Sequence, residues 1–145
     1  MLFEHWIYSV ALAVLIGMVY YKFTGRDYAW IIIASAYAPD LDKIGPALLK
    51  EVGITATVMG NPIRHADFHN LASLVVYAGV VAVLLHPIGI RYKDSFFFAG
   101  IGFAAHLFED ALVYNPRYSL FWPLSMEKVG TVSYTHLTLP TKRIV

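Results

Sequence analysis

The chain has 145 residues, 58% of them hydrophobic and only 14% charged, with a formal net charge of +1. An ordinary soluble domain carries about 25% charged residues, so this composition argues against a soluble enzyme, a disordered chain and a coiled coil, and for a small integral membrane protein. Cysteine is absent, which removes disulfides, thiolate metal sites and cysteine nucleophiles, and the near-neutral charge leaves no basic face for nucleic acid.

Four apolar blocks follow in chain order. The first, residues 6–23, carries no charge before Lys22 and is long enough to span or nearly span a bilayer, for which roughly 17–25 residues suffice. A cleaved signal peptide is the competing reading; Glu4 and His5 stand where its positive segment belongs, and no small-residue cleavage site stands out. His5 is either half of an exposed terminal pair with Glu4 or a ligand. The second block, residues 28–38, stops at Pro39. About eleven residues are too few to cross at ~1.5 Å rise each, so this block is a partly buried or re-entrant helix, or one ending at membrane depth inside the protein. The third block covers residues 71–85, extending toward 90, and the fourth covers 95–114 with Glu109 and Asp110 inside it.

Helix is preferred throughout, because backbone exposed to lipid must satisfy its own hydrogen bonds and the segments are too long and too few for a barrel. Gly17, Ala34, Ser35, Gly79, Gly100, Gly102 and Ala104 permit close helix packing. The expected fold is all-α: a membrane-embedded bundle of about four apolar helices, forming a single domain over residues 1–128. The connections 22–27 and 89–94 are short, whereas 39–70 is expected to be a long polar loop between the second and third helices. Loops beyond about 12–15 residues are usually functional or disordered, and the titratable residues here favour function. Residues 129–145 are polar and Thr-rich, without apolar period. They resemble translated sequencing adapter, so they are expected to be foreign to the domain or disordered, and the natural protein longer.

If the blocks run up and down, seven polar residues sort to one end of the bundle: His5, Asp40, Asp42, His65, His69, His106 and Asp110. His106 and Asp110 lie one helical turn apart on one face. They would bind one metal or bridge two, or form a plain hydrogen-bonded pair; an ionisable residue inside an apolar segment shifts the balance toward function. Asp40 and Asp42 flank Leu41 after Pro39 and reach one cation if the backbone bends; a turn aspartate is the plainer reading. His65 and His69 are four apart, a familiar but weak zinc arrangement. Arg64 is expected to fix a phosphate or carboxylate. Asp67 is expected to act as a base or to hold a histidine tautomer. His86 is read as interfacial, and His136 falls in the tail.

These residues, over about 1–125, resemble the YdjM-like, LexA-binding, inner-membrane-associated hydrolases, also described as membrane-bound metal-dependent hydrolases. The likeness rests on an early histidine before an apolar helix (His5), the turn Pro39-Asp40-Leu41-Asp42, the pair His69-Asn70, His106 with Asp110, and Trp122-Pro123. The family segment His-Arg-Gly-x-Thr-His-Ser reads Arg64-His65-Ala66-Asp67-Phe68-His69-Asn70 here, so His69 keeps the family position and His65 does not. The resemblance implies an inner-membrane protein with a divalent metal. Donors of nitrogen and oxygen suit Zn²⁺ first, then Mn²⁺ or Fe²⁺. The order of ligands is similar to that of zinc-dependent phospholipases C and related nucleases. Two functions follow: hydrolysis of an amphipathic or lipid-like ester or phosphoester at the membrane surface, or a non-catalytic membrane module whose structural metal or polar cluster serves binding to a protein partner. Lys22, Arg26, Arg91 and Lys93 in the short connections lean the site slightly toward the external face by the positive-inside rule, against Lys43, Lys50, Arg64, Arg117 and Lys128 on the site's own side.

Overall fold

The structure, a computed structural model, describes residues 2–55, 57–58, 61–62, 67–114, 118–125 and 127–128, without the side chains of 2–5, 42, 43, 58, 61, 62, 113 and 114. The expected tail lies outside these residues, as do Arg64 and His65.

Helix α1, Leu2–Thr24, is built from an apolar run that no proline interrupts. It stops at Gly25, which takes a φ of 67° and donates its N–H to the Tyr21 carbonyl at 2.8 Å; only glycine enters that region without steric cost. The Asp27 carboxylate accepts from the Ala29 N–H at 2.9 Å, satisfying one of the open donors that begin α2, Ala29–Ser35. Asn70 caps α4, Leu71–Leu85, by accepting from the Ser73 N–H at 2.8 Å. A short 3₁₀ turn, His86–Ile88, leads toward α5, Tyr92–Glu109.

Helix α5 is the hub: it packs on α4, α2 and α1. The core joins Ala13 of α1, Ile31 and Ile32 of α2, Ala78 of α4, and Phe98 and Ala99 of α5. The Phe98 ring meets Tyr20 edge-on at a centroid distance of 4.9 Å. Small residues set the spacing. A Cβ on Gly102 would lie 2.4 Å from the Ile32 carbonyl oxygen and 2.8 Å from Ser35 Cβ, so α2 reaches α5 only because Gly102 has no side chain.

Two segments, Trp6–Thr24 and Leu71–Ile88, are long and apolar enough to cross a membrane. Much of their surface is apolar and outward: Leu15, Met18 and Val19 on α1, and Val76, Val80 and Leu84 on α4, are exposed. Among the described residues these side chains are not covered by protein, and an apolar environment would remove the cost of exposing them to water.

The stretch expected as a polar loop differs. It contains α3, Leu41–Glu51, and two short antiparallel segments, Thr57–Val58 paired with Asn61–Pro62. Its polar and titratable residues gave the segment the look of a loop, and Pro46 lies inside the helix. A proline removes one backbone donor, but the turns on either side keep theirs.

The end of the bundle away from Asp40 is closed by charge. Arg91 grips Asp94 with two hydrogen bonds, 2.8 Å from Nε and 2.9 Å from Nη2, and also donates to the Tyr20 hydroxyl at 3.1 Å. Arg26 stands 3.8 Å from the same carboxylate. Burial works to raise the Asp94 carboxyl, but the Arg91 and Tyr20 hydrogen bonds and the two guanidinium charges together hold it below the usual carboxylate range.

Candidate metal centre

Three elements deliver the site. The α2 helix ends before Pro39, and the turn that follows presents Asp40 at the start of α3. The segment before the Asn70 cap presents His69. The last turn of α5 presents His106, and the helix then widens into a π-turn, Asp110–Tyr114, whose first residue is Asp110. Such π-turns recur at functional sites because the extra residue re-aims a side chain.

The geometry is nearly symmetric. His69 Nε2 lies 3.9 Å from Asp40 Oδ1 and 3.6 Å from Asp110 Oδ2. His106 Nε2 lies 3.9 Å and 3.6 Å from the same two oxygens. Asp40, His69 and His106 each offer a donor atom within 4.8 Å of the others. Contacts of this length exceed an N–H···O hydrogen bond of roughly 2.7–3.2 Å. A tetrahedral ion with bonds of about 2.0–2.2 Å sets its ligand atoms roughly 3.3–3.6 Å apart. The donors of Asp40, His69 and His106 could therefore close on a divalent ion by moving inward. Both imidazoles are buried, and the Asp40 side chain, 22% exposed, is the most open member.

Tyr118 frames this group. Its hydroxyl donates to Asp110 Oδ2 at 3.1 Å, and its ring stands 4.5 Å from the His69 ring. The chain around it is pinned to the start of α4, where the Leu71 N–H donates to the Leu120 carbonyl at 2.9 Å. Beside the cluster, Glu109 is buried, and the Tyr37 hydroxyl is buried without a hydrogen bond. Burial, then the charges of Glu109 and Asp40, push the Tyr37 phenol above its ordinary value.

Of the seven expected ligands, the structure brings together Asp40, His69, His106 and Asp110. His5 and Asp42 lie on the first turns of α1 and α3, with side chains outside the described residues; His65 and Arg64 fall outside the described residues altogether. Asp67 is exposed, and its carbonyl accepts from Asn70 Nδ2 at 2.7 Å. Tyr118, Glu109 and Tyr37 were missed by sequence reasoning. The signal for Glu109 was present, as an acid inside an apolar block; a lone tyrosine among ten carries none.

A helical, membrane-associated protein with a His/Asp cluster at one end of its bundle is the class that these features define. The chain belongs to the YdjM inner membrane protein family, whose model matches residues 1–142. No curated protein and no solved structure gives a significant match.

Proposed function

We propose that the chain is a membrane-bound metal-dependent hydrolase acting on an ester or phosphoester at the membrane surface. The observation that carries this reading is the ring of two imidazole nitrogens and two carboxylate oxygens spaced 3.6–3.9 Å apart. In this reading α1 and α4 cross the inner membrane, α2 and α5 pack against them, and residues 1–128 form one domain.

Asp40, His69 and His106 hold a divalent ion, Zn²⁺ before Mn²⁺ or Fe²⁺, and Asp110 completes the set. An ion held there supplies Lewis acidity and a water of lowered pKa. Tyr118 fixes the orientation of Asp110 by its hydrogen bond. Asp40, at the open edge, is the side from which substrate enters. Asp67, exposed two residues before His69, serves as a base at the rim, and Arg64 neutralises a phosphate. His5, Asp42 and His65 remain ligands in reserve for a second ion.

The test uses the full chain purified in mild detergent. Elemental analysis is run beside the H106A/D110A double variant, followed by a screen of phospholipids and simpler phosphoesters. The expected result is near-stoichiometric metal that is lost in a folded variant, and turnover that depends on the metal. Absence of metal after reconstitution with Zn²⁺ and Mn²⁺ would sink the reading. A second reading has one observation in its favour: four protein donors with both imidazoles buried is the pattern of a closed structural site. Full metal loading without turnover, and a partner protein bound by the wild type, would favour that module instead.

A further inference from the structure

Beyond Asp42, helix α3 has no part in the chemistry above, yet its surface is unusual. Leu41, Ile44, Leu48 and Val52 recur at spacings of three and four, which aligns them on one helical face. They are 50%, 55%, 65% and 69% exposed. Lys50 and Glu51, also exposed, lie off that stripe. Among the described residues α3 packs extensively against no other element. Its four charged positions, Asp42, Lys43, Lys50 and Glu51, cancel, so no acidic or basic partner is selected.

The helix also has a fixed starting depth. Its N-cap is Asp40, whose carboxylate lies 3.9 Å from His69 Nε2, and His69 stands two residues before the span Leu71–Ile88. The start of α3 is therefore level with one end of a membrane-crossing helix. Eleven residues reach only about 16 Å, roughly half the ~30 Å of a hydrocarbon core. A helix that starts at the boundary, cannot cross, and shows a continuous apolar stripe has one stable lie: along the interface, stripe toward the acyl chains.

We infer that α3 is an interfacial helix, docked in the bilayer surface through Leu41, Ile44, Leu48 and Val52. This holds the Asp40 edge of the cluster at headgroup depth. It rests on the membrane association of the family and not on hydrolysis.

The chain contains no cysteine, so single thiols can be introduced cleanly. Leu48→Cys, Ile44→Cys and Lys50→Cys full-length proteins, each carrying an environment-sensitive fluorophore, are reconstituted into phosphatidylcholine vesicles with a shallow spin-labelled lipid. Val80→Cys on α4 calibrates the lipid signal. Labels at 44 and 48 are expected to be blue-shifted and quenched by the lipid at least about threefold more than the label at 50, as an interfacial helix requires, with aqueous iodide showing the reverse order and little dependence on salt. Equal exposure of all three labels to iodide would overturn the inference. So would labels at 44 and 48 that are blue-shifted but untouched by spin-labelled lipid, since protein, such as a second copy of the chain, would then cover the stripe.

Discussion

The two ends of the bundle both hold buried charge, and they handle it in opposite ways. At one end Asp94 meets its partner at hydrogen-bonding distance, with Arg91 at 2.8 and 2.9 Å. The charges neutralise each other, and the guanidinium fork matches the carboxylate. At the other end Asp40 and Asp110 face His69 and His106 at 3.6–3.9 Å. The carboxylate–imidazole separations there are longer than the Arg91–Asp94 contacts, and Asp110 also accepts from the Tyr118 hydroxyl at 3.1 Å. The two ends thus differ in geometry: one fastens α1 to α5, and the other sets three donors, from Asp40, His69 and His106, where they could hold a metal ion. Desolvating polar groups is expensive unless something compensates, and the proposed cation would supply that compensation at this end.

The sharpest way to break the comparison is to remove one imidazole. His69→Ala or His106→Ala should weaken binding of the divalent ion by more than about 100-fold, exceeding the roughly 10–100-fold typical of outer-shell changes. Competition with a chromophoric chelator measures it, with circular dichroism reporting the fold. Asp94→Asn should leave metal affinity unchanged. Equal loss in both variants would mean that the two ends are not distinct.

The candidate cluster was legible in the sequence as a set of positions, and the helical fold only in part. Asp40, His69, His106 and Asp110 were readable because ionisable side chains in or beside apolar blocks are costly, and up-and-down connectivity sorts them to one end. The apolar helices were readable for the same reason of composition. Helix α3 was not: its apolar stripe is diluted by Asp42, Lys43, Lys50 and Glu51, and Gly45 and Pro46 weaken its propensity. Tyr118 was invisible because it acts across the fold, on Asp110 eight residues earlier and on His69 in another segment. Gly102 could be named as a small residue, but not as the one against the Ile32 carbonyl.

Gly102 links the ends, because the α2–α5 contact that it permits carries Asp40 toward His106. Gly102→Ala forces a Cβ to within 2.4 Å of the Ile32 oxygen, and overpacking of this kind costs about 1–3 kcal/mol. Stability in denaturant and metal affinity should fall together. Gly17→Ala, whose Cβ would meet Ala29 Cβ at 2.7 Å near the charged end, should lower stability and spare metal affinity. Tyr118→Phe is gentler: the ring stays against His69 while Asp110 loses one hydrogen bond. Metal affinity should drop by about tenfold, at the low end for an outer-shell partner, with the thermal midpoint of the metal-free protein nearly unmoved.

The smallest effect separates the ends by pH. The Asp94 carboxyl lies below its ordinary range in the folded protein, so the folded state binds its proton less readily than the unfolded chain does. A depressed carboxyl contributes stability that is present above its unfolded value of about 3.9 and is lost as pH falls through the folded value. The Arg91–Asp94 clip should therefore stabilise the bundle at neutral pH and fade below about pH 4. Asp94→Asn should be the less stable protein at pH 7, with the gap closing as acid protonates the wild-type carboxyl. Thermal midpoints of both proteins, measured from pH 7 down to pH 3 in metal-free buffer, check this. A gap that stays constant across the range would show that Asp94 acts by shape rather than charge, and the contrast between a self-neutralised end and an end spaced for a cation would lose its electrostatic half.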